Sequence, residues 1–356
     1  MKGETIDIKS RFGNYQVVVG AGICKKSSFP RVLLKKAKKV AIVSQQNILD
    51  LHGHKLLEAL SLSAEKTIIK TVCRGERAKS FTTLQRLWQE LLEEGFTRDS
   101  VIIAFGGGVV GDLAGFVAAT LLRGIAWINV PTTLLAQVDA SVGGKTGINV
   151  PQGKNLVGAF YPPQKVVVDT NFLSTLNRRE VKSGIGEVVK YAIGIDDEVW
   201  RLCQKDFPNN ACTQEMVKAC LLAKAKVVIT DEQEGGLRKI LNLGHTLAHA
   251  IEGAAPGIMS HGEAVAVGLR YVLSLSLALG EAKESYVKSS LELLDRAKLA
   301  NHPPADLSYD SLLPFWAVDK KAGKGGLTWV LPVAPGRSIL KKGVKQSLLS
   351  KVYGKF

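Results

Sequence analysis

The chain has no Cys-x-x-Cys pair. Its five cysteines, Cys24, Cys73, Cys203, Cys212 and Cys220, are an odd number scattered over the sequence. That argues against a cysteine-based zinc site and fits a reducing compartment where buried thiols act as small apolar fillers. Also missing is an uninterrupted run of about 20 apolar residues, which a membrane-spanning helix needs. Asp112 and Arg123 break one apolar stretch and Arg270 breaks another. The opening MKGETIDIKS is charged where a secretory leader would be apolar, so a cytoplasmic location is expected. There is no repeat at solenoid spacing and no zinc-finger, homeodomain or RNA-recognition pattern. Acidic residues are outnumbered, 32 against 47 Lys and Arg, for a net charge of +15. Because the cations are spread along the chain, they read as a solvated surface able to steer a small polyanion. Neither nucleic acid nor a membrane is expected as a partner.

What is present is an ordinary globular composition, 46% hydrophobic and 22% charged, in 356 residues. That length exceeds what one core usually supports, so two domains are expected. The first half alternates strands with helices. β-Branched runs lie at Val40–Ser44, Thr67–Val72, Val101–Phe105, Trp127–Val130 and Val166–Asp169, and a helical pattern spans Leu84–Glu94. Such alternation implies a Rossmann-like α/β domain with a largely parallel sheet covered on both faces. Ile6–Ile8 and Tyr15–Val19, around Gly13-Asn14, read as an added hairpin.

After about residue 170 the pattern becomes mainly helical, over Arg179–Gly194, Thr213–Thr230, Leu241–Glu252 and Gly262–Leu279. Only Leu327–Leu331 looks extended. The expected domains are therefore 1–175 and 176–356, with a ligand expected in the cleft between them.

The segment VIIAFGGGVVGDLAGF (101–116) runs a strand through Gly106, Gly107, Gly108 and Gly111 into a helix. Glycines there allow close backbone approach and positive φ, and helix N-terminal N–H groups suit a pyrophosphate. The spacing is not Gly-x-Gly-x-x-Gly, so packing alone stays an alternative. Thr132 and Thr133 follow a strand, where ligand contacts of open α/β sheets gather. Asp139, Lys145, Lys154 and Asn155 then sit among glycines, in a stretch that reads as too polar and kinked for core and resembles an anion cradle.

In the helical half, Glu187 and Lys190 are three apart, and His245 and His249 four apart, so each pair shares a helical face. Three of the six histidines fall within residues 245–261. Two His with one Glu would make a three-ligand metal site with an open position, although any single histidine could equally be structural. Arg238 and Asn242, four apart, could share the face of His245 and His249. With Lys224 they describe a pocket for an acidic, phosphorylated molecule.

Together these motifs resemble the 3-dehydroquinate synthase family within the sugar-phosphate cyclases. GGGVVGDLAGF, RG followed by VPTTLLAQVD, GGKTGIN, GKNLVGAFY, GEVVKY, the run DEQEGGLRKILNLGHTLAHAIE (231–252), HGEAVAVG and DKK occur in family order along nearly the whole chain. The resemblance implies a dehydroquinate synthase-like fold and Glu187, His245 and His261 as ligands of one divalent metal, Zn or Co. It implies NAD contacts at Gln45, Asn47, Glu76, Lys79, Gly108, Val109, Val110, Gly111, Asp112, Thr132, Thr133, Asp139, Lys145, Lys154 and the turn Phe172, Leu173, Ser174 and Thr175. Gln45 stands where relatives often carry Asp or Asn, and can still bond a ribose hydroxyl. Substrate positions are Arg123, Lys145, Asn155, Lys190, Lys224, Arg238, Asn242, His249 and Lys320. Catalytic ones are Asp139, Lys145, Lys190, Glu234 and His249. Arg123 would reach the neighbouring subunit's site, implying a homodimer.

The implied substrate is a phosphorylated keto acid, 3-deoxy-D-arabino-heptulosonate 7-phosphate. The implied sequence is transient oxidation by NAD, phosphate elimination, re-reduction, ring opening and internal aldol closure to 3-dehydroquinate. Competing readings are another sugar-phosphate cyclase, a metal-dependent alcohol or glycerol dehydrogenase, and an anion-binding protein that kept the scaffold.

Overall fold

The computed structural model describes residues 3–232, 235–321 and 327–356, except for the side chains of 317–321. The chain divides into two compact units, Met1–Leu176 and Asn177–Phe356. The first contains strands β1 (Glu4–Ile8) and β2 (Tyr15–Gly20), helix α1 (Arg31–Lys36), β3 (Val40–Ser44), α2 (Gln46–Leu60), β4 (Thr67–Thr71) and α3 (Phe81–Glu93). It continues with β5 (Val101–Gly106), α4 (Gly108–Thr120), β6 (Ala126–Pro131), β7 (Lys145–Val150), β8 (Gly153–Phe160) and β9 (Lys165–Asp169).

Seven strands form one sheet in the order β1-β2-β9-β6-β5-β3-β4. β1 and β2 make the expected N-terminal hairpin, and the other pairings are parallel. Alternate side chains leave a strand on opposite faces, so a sheet covered twice needs continuous apolar strands. β5 meets that demand, with every residue buried. Ile102 and Ala104, with Ala41 and Val43 of β3, pack against Leu84, Leu87 and Leu91 of α3 and Leu113 and Val117 of α4. Val101, Ile103 and Phe105, with Val40 and Ile42, pack against Leu34 of α1 and Ile48 and Leu56 of α2.

One expectation in this unit is corrected. The stretch read as too polar and kinked for core contains β7 and β8, which pair as an antiparallel hairpin. Thr146 and Ile148, two apart and so on one face of β7, are buried, and Ile148 joins the core beside α4. Of the four polar residues noted there, Lys154 and Asn155 lie on the exposed strand β8, Lys145 starts β7 and Asp139 precedes the hairpin.

The second unit contains helices α5 (Arg178–Gly194), α6 (Asp197–Asp206), α7 (Gln214–Thr230), α8 (His245–Ala254), α9 (His261–Ala278), α10 (Glu284–Arg296) and α11 (Tyr309–Lys321). Strands β10 (Trp329–Ala334) and β11 (Arg337–Lys341) and helix α12 (Gln346–Tyr353) follow. β10 realises the expected extended segment. Its partner β11 is charged and half-exposed, and its sequence gave no strand signal. Side-chain caps start several helices: Asn177 before α5, Asp196 before α6 and Thr213 before α7. Before α9, Ser260 and Glu263 form a capping box.

A second correction concerns Leu241–Glu252, read as one helix with Arg238 and Asn242 on the histidine face. Leu237–Asn242 is instead a 3-10 turn, and α8 begins only after Gly244. Gly244 has φ +77°, and a Cβ there would lie 3.0 Å from the backbone nitrogen of Leu269. Only glycine combines that backbone with that approach. Arg238 and Asn242 therefore belong to a different element from His245 and His249.

Candidate active site

Backbone contact between two helices assembles the donor set in the second unit. A Cβ at Gly186 on α5 would fall 2.6 Å from Cα of Gly262 on α9, and a Cβ at Gly262 would fall 2.6 Å from Cα of Ser183. With hydrogens there instead, the next residue on α5, Glu187, meets the first residue of α9, His261. His245, the first residue of α8, completes the group, and the three donor atoms lie within 4.8 Å of one another. Nε2 of His261 is 3.2 Å and Nε2 of His245 3.4 Å from Oε1 of Glu187.

The far side of each ring is also held. Nδ1 of His245 is 3.1 Å from the carbonyl oxygen of Leu243, and Nδ1 of His261 is 3.2 Å from Oε2 of Glu252. Both Nε2 atoms therefore face Glu187. Lys190, one turn along α5, forms an ion pair with Glu187, and both side chains are almost fully buried.

The electrostatics follow from this crowding. Burial alone would raise the Glu187 pKa, but the Lys190 charge and the two imidazoles hold it well below the usual carboxylate range. Burial pulls His261 down, whereas its hydrogen bonds with Glu187 and Glu252 outweigh that and lift it to about 10. Two imidazoles and one carboxylate with converging donor atoms fit zinc or cobalt. His249 is exposed and its ring centroid is 5.3 Å from that of His245, outside the three-donor group.

Lys224 on α7 and Arg238 are buried, and Asn242 closes the 3-10 turn. Arg238 is held through its own backbone. Asp231 accepts N–H bonds from Gly235 at 2.9 Å, Gly236 at 2.7 Å and Arg238 at 2.9 Å, while the Arg238 guanidinium donates to the carbonyl of Glu232. The N–H groups of Arg238 and Gly236 keep the Asp231 carboxyl below its ordinary pKa. Glu234 and the Lys320 side chain lie outside the described residues.

In the first unit β5 ends at Gly106 and α4 starts at Gly108. The expected positive φ is corrected: none of Gly106, Gly107, Gly108 or Gly111 adopts one. Closeness is what requires glycine. A Cβ at Gly106 would be 2.7 Å from Cγ2 of Val110, and one at Gly107 would be 3.0 Å from Cγ2 of Thr133.

Thr132 donates its N–H to the carbonyl of Gly106. Its buried Oγ1, like Oδ1 of Asn47, has no hydrogen-bond partner among the described residues. Two such polar atoms beside a helix N-terminus fit a polar ligand like a dinucleotide. Gln45 donates from Nε2 to the carbonyl of Cys73 at 3.2 Å.

Around Lys79, 3% exposed, the structure gathers four cofactor or substrate candidates. Its Nζ is 2.7 Å from Asp112 and 3.5 Å from Glu76, and it donates to Asn155 Oδ1. Asn149, which the sequence reading missed, ties this group together. Its N–H donates to the Lys79 carbonyl at 2.8 Å and its Nδ2 to Glu76 at 3.0 Å, while its Oδ1 accepts from the Asn155 N–H at 2.9 Å.

Other candidates stand apart. The side chains of Val110 and Phe172 are core, and Leu173 is buried, which leaves backbone atoms for any cofactor contact at Val110 and Phe172. Val109 is half-buried and Ser174 exposed. Thr175 Oγ1 is 2.8 Å from Nε2 of His52. Asp139 is half-buried in the Ala136–Ala140 turn, and Lys145 and Lys154 are exposed. Arg123 is exposed with φ +66°. Asp231, Asn149 and Glu252 are residues that sequence reasoning did not single out. Only Glu252 had a periodic signal, standing seven positions after His245 on α8.

The chain is similar over nearly its whole length to known proteins. Residues 69–183 match the model of the 3-dehydroquinate synthase N-terminal family and residues 184–322 that of its C-terminal family. The chain is 41% identical over 337 residues to a 3-dehydroquinate synthase of Symbiobacterium thermophilum, covering 93% of this chain and 94% of that one. A 2-deoxy-scyllo-inosose synthase solved with carbaglucose-6-phosphate, NAD+ and Co2+ superposes with a TM-score of 0.86 at 28% identity, covering 99% of each chain. A 2-epi-5-epi-valiolone synthase from Streptomyces hygroscopicus, solved with NAD+ and Zn2+, shares the fold with a TM-score of 0.87 at 22% identity, covering 98% of each.

Proposed function

The chain belongs to the 3-dehydroquinate synthase family, and from that premise we propose that it converts 3-deoxy-D-arabino-heptulosonate 7-phosphate into 3-dehydroquinate and phosphate, as a carbon–oxygen lyase of the shikimate pathway. The observation that carries this reading is the Glu187, His245 and His261 donor set, two of its members buried, inside a chain matched by both family models. When bound, NAD supplies a reversible hydride acceptor and the single divalent metal, Zn or Co, a Lewis acid.

Residues 1–175 hold NAD. The start of α4, Gly108 to Gly111, would hold its pyrophosphate, with the N–H groups of Gly108 and Val109 as donors, while those of Val110 and Gly111 donate to the Gly107 carbonyl. Gln45 and Asn47 take the adenosine end, Thr132 and Thr133 supply hydroxyls, and Glu76, Lys79 and Asp112 act as one linked group. Asp139, Lys145 and Lys154 and the Phe172–Thr175 turn complete the cofactor set.

Residues 176–356 hold the metal and most of the substrate contacts. Lys190 keeps Glu187 ionised at the metal and offers a cation to the substrate. Lys224, Arg238 and Asn242 hold carboxylate and hydroxyl groups, with Lys145, Asn155 and Lys320 as further contacts. His249, exposed beside His245, donates to the leaving phosphate. The phosphate itself assists proton removal, so Glu234 and Asp139 serve without a single dedicated base. The protein acts in the cytoplasm as a homodimer in which Arg123 reaches the partner's site.

Identity of 41% to a dehydroquinate synthase, against 28% to an inosose synthase, supports this substrate over other sugar phosphates. The test supplies the purified protein with the heptulosonate phosphate, catalytic NAD and Zn²⁺ or Co²⁺. Phosphate and dehydroquinate should appear in equal amounts, without net NADH, and a chelator should stop both. Phosphate without dehydroquinate would assign a different cyclase. NADH accumulating with simple polyols, and no turnover of the heptulosonate, would assign a dehydrogenase.

A further inference from the structure

The two metal-facing histidines are held in chemically different ways. His245 leans its Nδ1 on a neutral backbone carbonyl, that of Leu243, whereas His261 leans its Nδ1 on a carboxylate, Oε2 of Glu252 at 3.2 Å. Glu252 is two turns from His245 on α8, so the same helix carries one candidate ligand and the support of another. Its side chain is 14% exposed, shielded enough for its charge to be felt at the ring.

A neutral imidazole bears one N–H. If the carboxylate accepts it at Nδ1, the lone pair is left on Nε2, the atom 3.2 Å from Glu187 Oε1. We propose that Glu252 is a positioning residue of the metal centre, selecting the His261 tautomer whose Nε2 faces Glu187 and supplying negative charge that strengthens His261 as a ligand. This rests on the metal reading above and extends it to a residue that does not itself ligate. The general physics is that a carboxylate behind a ligating imidazole fixes its orientation and raises its basicity, and loss of such a partner typically costs about 10–100-fold in metal affinity.

The test uses the full-length protein stripped of metal. Co²⁺ is titrated in competition with a chromophoric chelator, and the visible absorption of the bound ion is recorded. Glu252→Ala should weaken Co²⁺ binding by about 10–100-fold and alter the absorption band, since the ring is no longer aimed. Glu252→Gln should lose less, because its amide oxygen still accepts the Nδ1 proton without the charge. Glu281→Gln removes the same charge from a surface pair with Lys341, 2.8 Å apart, and should leave affinity unchanged.

Wild-type affinity and spectrum in both Glu252 variants would overturn the role. Should the alanine variant fail to fold, the glutamine variant decides, with unchanged affinity and an unchanged band counting against it. A wild-type protein that takes up no Co²⁺ would remove the metal reading itself, and this inference with it.

Discussion

The two units prepare for their ligands in opposite ways. In the second, the charged groups are already paired with one another: Glu187, Lys190, His245, His261 and Glu252 form a linked, mostly buried set. In the first, a glycine turn opens a helix N-terminus, and Thr132 Oγ1 and Asn47 Oδ1 are buried without hydrogen-bond partners among the described residues. Its charged cluster around Lys79 reaches solvent through Asp112 and Glu76, 26% and 42% exposed. A small dication can replace a proton in a preformed cage of charge. A long, flexible dinucleotide needs unfilled hydrogen-bonding positions along a surface. The difference predicts stronger electrostatic coupling in the second unit than in the first.

Removing Lys190 is the severest test of that contrast. Lys190→Met leaves Glu187 buried without its cation, and loss of one partner of a buried pair costs about 3–5 kcal/mol. Denaturant unfolding of the metal-free protein should show this loss, and added Zn²⁺ should restore part of it by supplying positive charge. An equal loss with and without Zn²⁺ would break the idea that the cage is charge-coupled.

Next comes Gly186→Ala, which forces a methyl group against the Gly262 backbone. Overpacking of this kind costs about 1–3 kcal/mol, and Co²⁺ affinity should fall with it as Glu187 and His261 move apart. The comparison sharpens with Gly107→Ala in the first unit, where the added methyl would press on the Thr133 side chain at 3.0 Å rather than on backbone and should cost less in the same unfolding assay.

Lys79→Met should cost about 1 kcal/mol, since its carboxylate partners are partly solvated. The larger consequence should be weaker NAD binding, measured by calorimetry.

The smallest effect concerns His52, whose pKa burial lowers below its ordinary 6.5. The unfolded chain then takes up this proton first as the pH falls, so His52 contributes full stability above pH 6.5 and loses it below. Urea midpoints at pH 7.5 and 5.5 should differ less in His52→Gln than in the wild type.

The sheet was legible because its central strands are buried runs rich in β-branched residues, as Val40–Ser44 and Val101–Gly106 show. The hairpin of β7 and β8 was not, since its exposed strand, Gly153–Phe160, carries polar residues and glycines that also describe a loop. The metal set was half legible. Spacing alone named Glu187 and the histidines but left their combination open, because the selecting contact, Gly186 against Gly262, is tertiary. Gly244 hid the break that separates Arg238 and Asn242 from α8, since an isolated glycine is also tolerated within a helix. Asn149 and Asp231 bind largely to the backbone N–H and carbonyl groups of other residues, partners that carry no side-chain signature.

The glycine crossing also bears on how freely this chain could vary in length. α9 begins through its own Ser260–Glu263 cap, and its angle to α5 is set by backbone touching backbone. The connecting stretch 255–260 therefore need not act as a ruler. Residues inserted near Gly257 would lengthen an exposed link at small entropic cost while Glu187, His245 and His261 keep their places. Inserting a single residue within α5 ahead of Glu187 would instead rotate that carboxylate away by about 100° and disperse the centre. Evolutionary drift and loop engineering are thus open in the link before α9 and closed within α5 ahead of Glu187.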